Sequence, residues 1–377
     1  MTETLPFLTT MKPFLQEVWK KSGFKNPTDI QVKAIPLIIE GKDILAKSPT
    51  GTGKTLAYLL PLLEKIDREN KSIQVVILAS SHELVMQIHS EIVKWTAGSG
   101  ISGASFIGGA NLKRQIEKLK KRPQIIVGTP GRVHELIKMK KIKMHTVQTI
   151  VLDEGDQLLV PEHIHTIQSI VKSTMSDRQI LLFSATLNKK TEQSAKEMMN
   201  EPILVKSEAV QTKENVEHIY FVCEAREKVD ILRRVARIDG LKGLAFENDI
   251  GGLDVLAQKL EFKGISVGVL HSELKKEMRA KAIKVFRNGG YPLLLATDVA
   301  ARGLDIKGLT HVIHVDFPET KAQYVHRSGR TGRLGSESGT VISIVTPREE
   351  RKLKQFAREL NIKVHKKVFV QGKMVDD

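Results

Sequence analysis

Short apolar runs rich in β-branched residues alternate with longer amphipathic stretches along almost the whole chain. This alternation confines the fold to the α/β class. A parallel strand buried on both faces reads as an unbroken apolar run, and the crossover to its neighbour is a helix. Strands are expected at residues 43–47, 74–80, 124–129, 149–154 and 179–185 in the first half. In the second half they are expected at 218–224, 243–247, 266–271, 292–298, 311–316 and 340–346. Helical periodicity falls between them, at 84–95, 113–121, 253–262 and 276–286, with a last basic helix at 348–360. Both halves share this grammar, no solenoid-like repeat interrupts it, and 377 residues suffice for two cores. The polar, strand-poor segment 205–216 marks the boundary. The expected organisation is a first domain over 1–207, a linker over 208–216, a second domain over 217–365 and a short tail over 366–377.

Charge narrows the partners. Lys and Arg number 59 against 43 Asp and Glu, a formal charge of +16 with a pI near 9.7. Such an excess suits a polyanion held through phosphate contacts and counterion release. A merely soluble basic surface is the plainer alternative on charge alone. The excess gathers in residues 113–122 and 138–143, and each run also fits a solvated face. No stretch approaches the roughly 18 apolar residues of a membrane span. The opening MTETLPFLTT has neither the basic start nor the apolar run of a secretory signal. A single cysteine, Cys223, excludes a disulfide framework and a four-cysteine zinc site. A cytoplasmic protein is expected.

The chemistry begins at Ser48-Pro49-Thr50-Gly51-Thr52-Gly53-Lys54-Thr55, between the first expected strand and an apolar helix. Strand, glycine-rich turn and helix in that order aim backbone N–H groups at phosphate. Lys54 is placed to reach the β- and γ-phosphates of ATP, and Thr55 to hold Mg2+. The strict P-loop pattern has glycine where Ser48 stands, so the match rests on the strand–loop–helix context. Thr149-Ile-Val-Leu-Asp-Glu154 is an apolar strand ending in two carboxylates. Asp153, at the carboxyl end, suits Mg2+. Glu154 suits the orientation and deprotonation of an attacking water. Acidic residues that end strands are often only solvated caps, and the phosphate loop upstream favours the catalytic reading. In the second half, His326-Arg-Ser-Gly-Arg-Thr-Gly-Arg333 carries three arginines spaced by glycine. Guanidinium forks match phosphate oxygens, so Arg330 and Arg333 are expected as arginine fingers on the γ-phosphate, with a plain basic patch as the alternative. The expected ligand is ATP with Mg2+, bound between two lobes.

Together these motifs resemble the DEAD-box family of ATP-dependent RNA helicases, over nearly the whole chain. The resemblance implies two tandem RecA-like α/β domains, each a mostly parallel sheet with helices on both faces. Phe14 and Pro27-Thr-Asp-Ile-Gln31 are similar to the family's adenine-reading segment, in which glutamine bonds the base edge and phenylalanine packs on the ring. A carboxamide has the donor and acceptor this needs, although PTDIQ also fits the start of a helix. Gly108-Gly109 and Thr129-Pro-Gly131-Arg132 are similar to segments that grip the RNA backbone. Ser184-Ala-Thr186 resembles the motif that couples hydrolysis to strand opening, with Asp156 and His326 as its partners. Ala296-Thr-Asp-Val-Ala-Ala-Arg-Gly-Leu-Asp-Ile306 agrees with the family pattern at every position. It implies RNA contacts for Thr297 and Arg302 and a nucleotide contact for Asp305, while Arg279 keeps the family's place for another RNA contact. The implied cycle is closure of the lobes on ATP and RNA, bending of one strand, and reopening after hydrolysis and phosphate release.

Three departures stand out. Gly155 replaces alanine in the acidic tetrapeptide, which is expected to loosen Asp156 modestly. The family's Pro-Thr-Arg-Glu-Leu is here Ser80-Ser-His-Glu-Leu84, so His82 stands in place of an RNA-binding arginine. His271-Ser-Glu-Leu274 replaces His-Gly-Asp-Leu, and Lys276 stands where glutamine is common. These changes bear on RNA affinity more than on ATP chemistry. The leading expectation is an RNA-dependent ATPase that unwinds short duplexes or remodels ribonucleoprotein. An ATP-gated RNA clamp with little unwinding is the alternative, and a DNA translocase is disfavoured by the adenine-reading segment and the RNA motifs. A chain of this core length, with no room after residue 347 for an appended RNA-binding domain, resembles bacterial members that assemble ribosomal subunits or turn over mRNA. Structured ribosomal RNA in pre-ribosomal particles, bound by a monomer, is the expected substrate.

Overall fold

The computed structural model describes residues 9–24, 26–49, 51–207, 216–301, 306, 308–332 and 338–377. The chain divides into two compact units, Met1–Val210 and Gln211–Asp377, each built on its own sheet.

The first unit holds β1 (Ile44–Lys47), β2 (Val75–Ala79), β3 (Gly103–Phe106), β4 (Ile125–Gly128), β5 (Thr149–Asp153), β6 (Gln179–Ser184) and β7 (Ile203–Lys206). They lie in the order β3-β4-β2-β5-β6-β1-β7, every pair parallel. Successive side chains enter opposite cores: Ile44, Val75 and Ile77 on one face, Leu45, Val76 and Leu78 on the other. Burying such a side chain fully contributes roughly 1.5–3 kcal/mol, which is why these strands carry almost no polar residue. Helices Pro13–Ser22, Asp29–Ile39, Lys54–Lys65 and His82–Trp95 cover the first face through Leu15, Ile35, Tyr58 and Ile88. Pro130–Lys138 and Pro161–Lys172 cover the second through Leu136 and Ile170. Both of these begin with proline, whose fixed φ suits the first helical turn.

Two strands of this sheet escape sequence periodicity. β3 reads Gly-Ala-Ser-Phe, with no β-branched residue, because the helix His82–Trp95 passes close above it. A Cβ on Gly103 would meet Ile92 Cγ2 at 2.6 Å. β7 pairs with β1 from Ile203 to Lys206, so Val205 and Lys206 belong to the first sheet and not to the polar boundary segment. Residues 208–215 of the expected linker lie outside the described residues, and Val216, its last member, already opens the next strand.

The second unit holds β8 (Val216–Val222), β9 (Gly243–Phe246), β10 (Val267–Leu270), β11 (Leu293–Ala296), β12 (His311–His314), β13 (Gly339–Val345), β14 (His365–Val370) and β15 (Lys373–Asp376). Their order is β10-β11-β9-β12-β13-β8-β14-β15, parallel except for the closing β14–β15 hairpin. Helices Lys228–Val235 and Ile250–Phe262 pack on one face, and Lys321–Ser328 and Pro347–Leu360 on the other. Residues 366–377, expected as a tail, are therefore structured. Phe369 of β14 stacks on Phe221 with ring centroids 5.0 Å apart, and the Arg234 guanidinium sits 5.7 Å over the same ring. No helix among the described residues is long and apolar enough to cross a membrane.

Candidate active site

A parallel sheet gathers its loops at the carboxyl ends of its strands, and ligands of α/β proteins bind there. In the first unit this edge carries the segments singled out above. The phosphate loop follows β1, Ser80–His82 follows β2, Gly108-Gly109 follows β3, Thr129 follows β4, Glu154 follows β5 and Ala185-Thr186 follows β6.

The phosphate loop is held from within. Ser48 is fully buried, its N–H donates to Ser184 O at 2.9 Å, and its hydroxyl lies 2.6 Å from that of Thr52. Thr52 donates in turn to Pro49 O at 2.8 Å. Serine thus does at position 48 what glycine cannot, closing the loop through its side chain. Gly51 and Gly53 have φ of 77° and 86°, in the left-handed region that glycine enters without strain. Lys54 Nζ donates to Ser48 O at 2.8 Å and Pro49 O at 3.0 Å, which sets the ammonium against the loop. Thr50 lies outside the described residues. Gln31 joins this loop: its Oε1 accepts from Thr28 N at 3.0 Å, capping the helix, and its Nε2 donates to Gly53 O at 3.2 Å. Helix start and adenine-reading residue are therefore compatible readings of the same letters. Phe14 packs, half-buried, against the core on this face of the sheet.

Asp153 and Glu154 differ in environment. Asp153 is 3% exposed, and burial pushes its carboxyl up to about 6 against the pull of Lys54, with the Glu154 charge adding to the rise. Its Oδ2 accepts from the Tyr58 hydroxyl at 2.9 Å and its Oδ1 from Glu154 N at 2.9 Å. Thr55 lies on the same helix and interacts with the same phenol, so one buried side chain stands beside both residues expected to hold Mg2+. A carboxyl whose charge is penalised by burial gains from a nearby cation, and with a hydroxyl beside it the oxygen donors suit a hard metal ion. Glu154 leaves the strand with φ of 56°, turning its side chain out of the β5 register. Its Oε2 accepts from Ser80 Oγ at 2.5 Å. Sequence reasoning missed both Tyr58 and Ser80, because tyrosine in an apolar helix and serine after a strand look ordinary.

Three of the residues expected to couple hydrolysis to RNA form a closed group. Asp156 N donates to Ser184 Oγ at 3.3 Å, Ser184 Oγ to Thr186 O at 2.6 Å, and Thr186 Oγ1 to Asp156 Oδ2 at 2.5 Å. Asp156 is tied by two of these bonds with Gly155 beside it. Gly155 is buried, and a Cβ there would meet Leu182 Cγ and Cδ2 at 2.6 Å, so the leucine occupies the space of the missing methyl.

The segments expected to grip RNA lie at the β3-β4-β2 end of the same edge. His82 is exposed at the start of its helix, and its Nε2 is 3.7 Å from where a Gly108 Cβ would stand. Gly108 N donates to Thr129 Oγ1 at 3.4 Å. Gly109, with φ of 68°, and Gly131 face open space. Arg132 is mostly buried, donating to Ala110 O at 3.1 Å and pairing with Glu135 at 2.9 Å. It therefore shapes the Gly108–Ala110 loop.

In the second unit Thr297 follows β11 and is buried, Arg279 lies on the helix Lys276–Arg287, and His326 and Arg330 lie at and just beyond the end of Lys321–Ser328. Arg302, Asp305 and Arg333 lie outside the described residues. The centre of this edge is a residue passed over in the sequence, Arg327, only 1% exposed. Its fork meets Asp298 at 2.8 and 2.6 Å, and it donates to Asp316 O and Asn248 Oδ1, each at 2.7 Å. Asp298 within the apolar run Ala296–Ala301 was the available signal, since a carboxylate there needs a charged partner. Removing one member of a buried pair costs about 3–5 kcal/mol. Arg327→Met is expected to destabilise the second unit by about that amount, read as the shift of its denaturant midpoint in the full chain. An unchanged midpoint would remove the structural role.

Models of known families match both units: DEAD/DEAH box helicase over residues 28–194 and helicase conserved C-terminal domain over 227–335. The DEAD-box ATP-dependent RNA helicase CshC of Bacillus cereus is 55% identical over 366 residues, 97% of this chain and 94% of that protein. The probable ATP-dependent RNA helicase YfmL of Bacillus subtilis is 55% identical over 375 residues, 99% of each chain. Among solved structures, S. cerevisiae Dbp5 bound to RNA and ADP BeF3 aligns with a TM-score of 0.84 at 28% identity, over 94% of this chain and 93% of that one. Mss116p bound to ssRNA and AMP-PNP aligns with a TM-score of 0.84 at 26% identity, over 98% and 80%. Both units here share the RecA-like α/β plan.

Proposed function

The chain belongs to the DEAD-box family of ATP-dependent RNA helicases, a premise from which we propose that it opens short duplexes in structured RNA, ribosomal precursors among them, as a cytoplasmic monomer. The observation that carries this reading is the shared edge of the first sheet, where the residues read as binding ATP and those read as binding RNA follow neighbouring strands. Lys54 and the backbone of residues 48–53 hold the phosphates. Thr55 and Asp153 would hold Mg2+, which would supply charge neutralisation to the phosphates. Glu154 orients and deprotonates the attacking water, and Arg330 and Arg333 stabilise the γ-phosphate charge. Gln31 and Phe14 read adenine, Asp305 adds a nucleotide contact, and Asp156, Ser184, Thr186 and His326 couple hydrolysis to RNA. His82, Gly109, Thr129, Gly131, Arg279, Thr297 and Arg302 meet the RNA backbone, with Arg132 supporting the loop beside it.

Exposed His82 in place of arginine favours a second reading, an ATP-gated clamp that holds RNA without separating strands. Release of a labelled strand from a short RNA duplex, measured with ATP and Mg2+, decides between them. The helicase reading expects release that requires ATP. ATP hydrolysis stimulated by RNA with no strand release would establish the clamp, and hydrolysis stimulated equally by DNA would overturn the RNA specificity of both.

A further inference from the structure

We propose that Ser80 is a positioning residue for Glu154, fixing the carboxylate for ATP hydrolysis and tying it to the turn that meets RNA. The proposal rests on the reading of Glu154 as the base. Register creates the contact. β2 and β5 are parallel neighbours with Ala79 opposite Asp153, so the next residues, Ser80 and Glu154, leave the sheet side by side. At Glu154 the backbone turns left-handed, with φ of 56°, and brings Oε2 to 2.5 Å from Ser80 Oγ. A hydroxyl donating to a carboxylate is a strong, charge-assisted bond that fixes one oxygen and leaves the other for water. The family pattern has proline where Ser80 stands, and proline has no hydroxyl with which to form this bond.

Ser80 also sits in a turn with two other tasks. Ser81 Oγ accepts from Leu84 N at 3.2 Å and starts the helix, and His82 follows it, exposed beside Gly108. Three consecutive residues thus bind the base, fix the helix and face the RNA side. A shift of the turn when RNA binds His82 reaches the Glu154 carboxylate through a single hydrogen bond.

The test uses the full chain with a short structured RNA and ATP. S80A is expected to lower RNA-stimulated kcat on the order of 10-fold, with KM for ATP, Kd for RNA and Tm unchanged. S80T, which keeps the hydroxyl, restores the rate. In single-turnover reactions, S80A adds nothing to the loss caused by E154Q, because residues acting through one another are not additive. An unchanged kcat in S80A, a failure of S80T to restore it, or full additivity with E154Q would each overturn the proposal. The base reading fails separately: E154Q turning over at the normal rate removes it whatever S80A does.

Discussion

Glu154→Gln is expected to bind ATP and RNA as the unaltered chain does and to lose multiple-turnover hydrolysis by at least about 100-fold, the usual worth of a positioned general base. Glutamine keeps the size of the side chain and can still accept from Ser80 through its amide oxygen, so the fold and the turn after β2 should survive. What is lost is the capacity to take a proton. The left-handed backbone at residue 154 is the same for either side chain, which removes backbone strain as an explanation of the loss. With binding intact and turnover gone, the variant should hold RNA in an ATP-dependent complex that outlasts the normal one, visible as slowed exchange of labelled RNA. Normal turnover in this variant would sink the assignment of Glu154, and loss of ATP binding would point instead to a structural role.

The contrast between Asp153 and Glu154 shows what could be read from letters and what could not. Both carboxylates, their strand and the phosphate loop were legible, because apolar β5 and the Gly-Lys-Thr turn are patterns of a few consecutive residues. The partners were not. Tyr58 reaches Asp153 from a helix 95 residues earlier and Ser80 reaches Glu154 across 74, contacts set by sheet order and register. Arg327 was hidden for the same reason, since Asp298, Asn248 and Asp316 come from the segments after three different strands. β3 escaped because close packing of a helix removed the usual β-branched signature, and β7, a four-residue edge strand, because it runs straight into the polar boundary segment. Gly155 went the other way. Its effect was expected in the backbone, and the space it leaves is filled by Leu182.

Arg330→Ala should separate turnover from folding within one motif. The residue lies three positions beyond Arg327, past the end of the helix Lys321–Ser328, and is half-exposed where Arg327 is buried. Alanine at 327 strands Asp298, whereas alanine at 330 leaves that pair untouched. The loss of thermal stability is therefore expected to be well short of that at Arg327. Hydrolysis is expected to fall on the order of 1000-fold, the lower end of what an arginine finger contributes, with ATP affinity of the first domain little changed. Arg330→Lys tests the chemistry further, because lysine keeps the charge and loses the planar fork, and it should recover little of the rate. Residues 1–207 alone, which hold Lys54, Thr55, Asp153 and Glu154, should likewise hydrolyse ATP poorly while still binding it. Full-rate hydrolysis by that fragment, or by Arg330→Ala, would mean that the first domain completes the reaction unaided and that the glycine-spaced arginines serve RNA.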